Sequence, residues 1–193
     1  MEHIDPKFER DKFLLHQKHF TIGEKYYIYD EKEQPLFYVE REKFKLHAHI
    51  HVYNDDSKSR ELLTIKDKSI FDVNAGMDVK DPATGELIGS FKRDVVSSML
   101  RRTWKIMDRN GNEIGHAMED SIGKALIRRF LPFGALLKTD FIIEINNKEV
   151  GRFIRKWTIS DKYILDLSSD PSRLFDRRLA VALGILLDSA EAR

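Results

Sequence analysis

The 193-residue chain contains no cysteine. That excludes disulfides, thiolate metal centres, a cysteine nucleophile and S-palmitoylation, and it is compatible with a reducing cytoplasm. The chain also lacks a run of the ~18–20 apolar residues that a spanning helix needs. Its closing apolar stretch, Leu179 to Leu187, would extend only about 14 Å as a helix. Neither sign of charge predominates. Thirty-three Lys and Arg face 32 Asp and Glu, a net of +1, which excludes a polyelectrolyte and gives no expectation of nucleic-acid binding. The first residues, "MEHIDPKFERDKF", carry no apolar core of a signal peptide. Five prolines and ten glycines form no tract, so no linker or low-complexity segment divides the chain. Catalytic signatures are missing as well: there is no Gly-x-Ser-x-Gly elbow, phosphate loop, dinucleotide fingerprint or His-Glu-x-x-His. The expectation is one soluble cytoplasmic domain over 1–193, non-enzymatic, with no cofactor.

What the sequence does contain is short strands. "KYYIYD" (25–30), "PLFYVERE" (35–42), "LHAHIHVY" (46–53), "ELLTIKD" (61–67), "TWKIMD" (103–108), "DFIIEIN" (140–146) and "KYILDL" (162–167) are rich in β-branched and aromatic residues. Alternation puts Leu46, Ala48, Ile50 and Val52 on one face and His47, His49, His51 and Tyr53 on the other. A loose repeat links them. "DPATGELIGSFKR" (81–93), "DRNGNEIGHAME" (108–119) and "NNKEVGRFIRK" (146–156) each run from a polar turn through glutamate, aliphatic and glycine into a strand, and "DEKEQPLFYVERE" (30–42) is a glycine-free variant. Asp-x-x-Gly and Asn-Asn between apolar runs are hairpin chemistry. About twelve antiparallel strands result, closing into a barrel or a sandwich.

Two helices are expected. "DSIGKALIRRFL" (120–131) follows an Asp120 or Ser121 cap and stops before Pro132. A second begins near 171, with Asp170 as N-cap and Pro171 in the first turn. Its core, "LAVALGILL", is apolar all round and must be enclosed. In an all-β chain the enclosure is the inside of a closed sheet; a helix docked outside on a sheet, or an oligomer interface, are the alternatives. Gly184 costs about 1 kcal/mol of helix propensity, which suggests close packing there.

A barrel of about twelve antiparallel strands around a hydrophobic C-terminal helix resembles the tubby C-terminal-like superfamily. "FTIGEKYYIYDEKEQPLFYVERE", "DPATGELIGSFKR", "TWKIMDRNGNEIGHAMED" and "LFDRRLAVALGILLDSAEA", taken in order, are similar to its LURP-one-related branch, akin to the phospholipid scramblases. The resemblance implies the fold over nearly the whole chain. Tubby domains bind phosphoinositide head groups through a basic patch and scramblases act at membranes, but neither set of functional residues maps onto this chain, and the scramblases' cysteine-rich segment has no counterpart.

Cations supply the leading candidate site. "SIGKALIRRFLPFGALLKT" (121–139) carries Lys124, Arg128, Arg129 and Lys138 without an acid, and "FKRDVVSSMLRRTWK" (91–105) adds Lys92, Arg93, Arg101, Arg102 and Lys105. Cations on phosphates with Phe130, Leu131, Phe133 and Leu136 at an interface would suit a phospholipid surface. A surface helix capping the barrel is the plainer reading. "HAHIH" offers imidazoles, but three residues on one straight strand converge poorly on a ~2.1 Å zinc–nitrogen shell, so a solvated face is preferred and no metal is assigned. "DRNGNE" has its glycine fourth, unlike a calcium loop, and reads as a turn. The expected role is a binding module docking to anionic phospholipid head groups, peripheral at the membrane; the alternative is a protein-interaction or scaffold domain.

Overall fold

The structure, a computed structural model, describes residues 4–17, 25–42, 49–68, 76–94, 101–120, 140–156 and 162–191. A short 3-10 turn, Pro6–Phe8, precedes twelve strands: β1 (Lys12–Gln17), β2 (Lys25–Tyr29), β3 (Pro35–Arg41), β4 (His49–Tyr53), β5 (Glu61–Asp67), β6 (Met77–Lys80), β7 (Leu87–Arg93), β8 (Thr103–Met107), β9 (Glu113–Glu119), β10 (Phe141–Ile145), β11 (Lys148–Lys156) and β12 (Lys162–Asp166). Helix α1 (Arg177–Glu191) follows. Each strand pairs antiparallel with the next, and β1 closes the ring between β12 and β2. The sheet therefore has no edge.

The seven strands read from composition and the three read from the repeat all form. β1 and β6 are additions. The four residues of "MDVK" in β6 are too few to show alternation, and "KFLLHQ" in β1 interrupts its own alternation with Leu14. Both faces follow the pleat: on β4, Ile50 and Val52 are buried while His49, His51 and Tyr53 lie on the outer side.

Antiparallel order gives the barrel two unlike mouths. At one, the connections 30–34, 54–60, 81–86, 108–112 and 146–147 are short, and aspartates organise the first four. Asp30 Oδ1 accepts from the backbone N–H of Lys32 and Gln34, Asp55 Oδ1 from Ser57, Asp81 Oδ1 from Ala83, and Asp108 Oδ1 from Asn110 and Asn112, all at 2.8–2.9 Å. Asn146 and Asn147 sit at φ 49° and 62°, the left-handed pair that a two-residue hairpin needs. "DRNGNE" is thus a turn. At the other mouth the connections fall wholly or mostly outside the described residues, among them the helix expected over 120–131.

Every hairpin closed at the turn mouth carries one register shift: at Ile28/Tyr29, Val52/Tyr53, Val79/Lys80, Ile106/Met107 and Ile143/Glu144. A bulge bends and twists its strand, so five of them in a ring curl this rim. This accounts for the repeated glycine. A Cβ on Gly115 would lie 2.0 Å from the Glu144 carbonyl oxygen, and one on Gly89 2.5 Å from that of Met107. No side chain fits where the neighbouring backbone comes so close.

Helix α1 runs inside the barrel. Leu179, Val181, Leu183, Ile185 and Leu187 are no more than 2 % exposed. They meet the inward side chains Phe13, Ile28, Val52, Phe91, Phe153 and Leu165 in one core. Burying each Leu, Ile or Val contributes roughly 1.5–3 kcal/mol.

The helix begins six residues later than its expected start near 171. Arg173 takes φ +51°, which a right-handed helix cannot include. Asp170 instead organises the approach, its carboxylate accepting from the backbone N–H of Leu174 (2.9 Å) and Phe175 (3.0 Å) and from Arg177 Nη1 (2.8 Å). Asp176 is the cap, accepting from the Arg178 N–H at 2.8 Å. Arg177 also reaches Asp11 at 2.8 Å, and Arg178 returns to Asp176 at 2.8 Å, so both cations before the apolar run are buried but paired. Gly184 is a second correction. A Cβ there would make ordinary contacts of 3.5–3.7 Å with Leu165 and Leu15, so steric closeness does not require it. The tight spot is on the wall, where a Cβ on Gly89 would lie 2.8 Å from Leu179 Cδ1.

Candidate functional site

With its own helix filling the lumen, the barrel offers its mouths and outer surface for recognition. Two regions there concentrate charged and aromatic groups.

The first is the mouth opposite the turns, where β7 ends and β8 begins. Lys92 and Lys105 are direct cross-strand partners on the outer face, and exposed Arg93 stands opposite Trp104. Lys105 is drawn toward Glu113, 2.9 Å away, an ion pair that raises its pKa. Arg101 and Arg102 serve the framework. Arg101 Nε donates to the Glu119 carbonyl oxygen at 2.7 Å, and its Nη2 donates to the same atom. The Arg102 N–H donates to Glu119 Oε2 at 3.3 Å, and its guanidinium lies 5.9 Å from the Phe141 ring centre. Among the described residues, Lys92 and Arg93 have no ion-pair partner. Lys124, Arg128, Arg129 and Lys138 lie outside the described residues. The chain leaves the sheet for that segment at Asp120 and rejoins it at Asp140, and the Asp120 N–H donates to the Asp140 carbonyl at 2.8 Å. Both basic stretches are therefore attached at one mouth, over neighbouring strands β7 to β10.

The second region covers the outer face of β2 to β5. Tyr27, Tyr38 and Tyr53 are successive cross-strand partners, with ring centres 5.3 and 6.4 Å apart. The Lys58 ammonium lies 6.0 Å from the Tyr38 ring and 5.9 Å from that of Tyr53, and it pairs with Glu40. Tyr27 donates to Asp56 Oδ2 at 2.8 Å; that hydrogen bond, then burial, push its pKa up to about 12. Beside it opens a cleft of about 440 Å³ that also reaches Lys7 and Asn54.

His51 stacks on Tyr53 at 6.0 Å and extends this surface into a polar cluster. Its Nδ1 lies 2.7 Å from Glu61 Oε1 and its Nε2 2.9 Å from Glu42 Oε1, while His49 Nδ1 lies 2.7 Å from the same Glu42 oxygen. Thr64 Oγ1 donates to Glu61 Oε1 at 2.8 Å and holds that carboxylate in place. Burial would depress the His51 imidazolium, but the bonds to Glu42 and Glu61 outweigh it and the pKa is raised. The side chains of His49 and His51 are only 16 % and 17 % exposed, so this face is packed rather than freely solvated as the alternation suggested. His47 lies outside the described residues.

Sequence reasoning missed Glu42 and Glu61. Convergence here does not require three imidazoles from one strand: Glu42 follows β3, its N–H donating to the His49 carbonyl at 2.9 Å, and Glu61 opens β5. The usable signal was the pairing of "PLFYVERE" with "HIHVY" across a hairpin, which sets Glu40 opposite His51 and brings the next outward carboxylate, Glu42, beside His49.

The family comparison agrees with the fold. The model for the LURP-one-related family matches residues 11–188, nearly the whole chain, and the protein belongs to that family. No curated protein matches the chain. Among the described residues, no helix is long and apolar enough to cross a membrane.

Proposed function

Proceeding from a LURP-one-related barrel whose lumen is filled, we propose that the protein is a non-enzymatic binding module that docks, through the mouth opposite its turns, onto anionic phospholipid head groups. The observation that carries this reading is topological: both basic stretches, 91–105 and 121–139, join the sheet at one mouth. Lys92 and Arg93 supply the contact from the described part of that mouth. Arg101 and Arg102 leave the expected contact set, because their guanidinium groups brace Glu119. Cytoplasmic residence with peripheral attachment is part of the same proposal.

The test is co-sedimentation of the full chain with phosphatidylcholine vesicles, with and without phosphatidylserine, at low and high salt. Binding should need the anionic lipid, weaken with salt, and fall in Lys92→Glu/Arg93→Glu. Equal and negligible binding to both vesicle types at low salt ends the proposal.

The tyrosine row supports a second reading, protein recognition on β2 to β4. Tyrosine is enriched at interfaces, and this row borders the 440 Å³ cleft. An affinity pull-down that survives charge reversal at Lys92, Arg93, Arg128 and Arg129, but is lost in Tyr38→Ala/Tyr53→Ala, would favour this reading over lipid.

A further inference from the structure

We propose that Glu42, His49 and His51 form a site for a divalent transition-metal ion, zinc being the best chemical match, on the outer face of the β3–β4 hairpin. Three donors from two adjacent segments already point at one spot: Glu42 Oε1, His49 Nδ1 and His51 Nε2 lie within 4.8 Å of one another. Two imidazoles and a carboxylate suit zinc, and a three-ligand set leaves a fourth position for water or an incoming group. Ligands on ~2.1 Å bonds in a tetrahedron stand about 3.4 Å apart. The Glu42 oxygen, now 2.7 Å and 2.9 Å from the two ring nitrogens, must draw back, and the nitrogens take up the same spacing, to admit the ion.

A second, independent feature points the same way. A metal-bound imidazole characteristically gives its other N–H to a carboxylate, which fixes the tautomer and raises ligand basicity. His51 has that arrangement, with Nε2 toward the shared spot and Nδ1 2.7 Å from Glu61, itself held by Thr64. Glu61 is thus a positioning residue. The rings are also preset: the His49 and His51 centres are 4.3 Å apart, and Tyr53 stacks on the far side of His51. The ring adds this to the strand alone, since β3 delivers the carboxylate that a third histidine of β4 could not.

The full chain, stripped with chelator, is titrated with Zn(II) by calorimetry and with Co(II) by visible absorption. The expected result is saturable uptake of one ion per chain, with Co(II) bands of four- or five-coordination. His49→Gln/His51→Gln should lose this uptake, and Glu61→Gln should weaken it about 10–100-fold without changing stoichiometry. Uptake unchanged in the double variant overturns the proposal, because the ion then sits on other histidines. A wild-type Co(II) spectrum identical to the hydrated ion overturns it as well, and that measurement does not depend on any variant folding.

Discussion

The two mouths of this barrel are joined by the same strands yet hold the chain by different means. The turn mouth is made of short connections, four of the five with an aspartate accepting backbone N–H groups, a register shift in each hairpin, and a buried ion network where the helix enters. Phe8 stacks on Phe37 at 4.6 Å just inside it. The opposite mouth has mostly longer connections in sequence and carries the basic stretches, with arginines braced on Glu119, Lys92 on the outer face and Arg93 exposed at the rim. Local turn chemistry organises one end, and the proposed function assigns recognition to the other. A stability defect and a recognition defect should therefore map to opposite ends.

The sharpest way to break that division is at the helix entrance. Arg177→Ala leaves the Asp170 carboxylate, 2 % exposed, without its cation, and should cost about 3–5 kcal/mol in a urea melt. A loss below about 1 kcal/mol would mean that the network does not anchor the helix. Next comes the wall. Gly89→Ala should destabilise by roughly 1–3 kcal/mol, because the added methyl meets Leu179 and the Met107 carbonyl. Gly184→Ala, on the side of the helix that faces β1 and β12, should be neutral or stabilise by up to about 1 kcal/mol. The same melts decide both, and a strongly destabilising Gly184→Ala would mean that the helix lies closer to β1 and β12 than described.

Smaller effects concern pH and surface charge. Asp30 is held below the usual carboxylate range chiefly by the Gln34 N–H, and Asp108 by the Asn112 side chain and backbone. A depressed folded-state pKa gives stability that is complete above the unfolded value, near ~3.9, and is lost as pH falls through the folded one. The thermal midpoint of Asp108→Asn should accordingly fall less steeply than wild type on acidification below pH 4; an unchanged slope would detach the turn from acid stability. Lys92→Glu/Arg93→Glu, at the other mouth, should move stability by less than about 0.5 kcal/mol while abolishing vesicle binding. A large stability loss there would erase the contrast between the two ends.

Much of this was legible in the chain. The alternation of "HIHVY", the Asp-x-x-Gly turns and the recurring glutamate–aliphatic–glycine phrase carry strand identity and hairpin order, because side-chain period and turn chemistry are local. "LAVALGILL" forced an enclosed helix, because an all-round apolar rod has no stable place in water. β6 escaped because four residues show no period, and the helix start was misplaced because Asp170 and Pro171 look like a cap until Arg173 turns left-handed.

By itself, then, the sequence determined which segments become strands, that hairpins join them in order, and that the last helix must be swallowed. Those outcomes follow from patterns within a few residues of one another. Tertiary structure alone decided that Glu42 and Glu61 flank His51, that Arg101 and Arg102 brace Glu119, and that Gly89 rather than Gly184 marks the tight contact. Each of these depends on register, and a strand that slips by one residue turns every side chain to the other face.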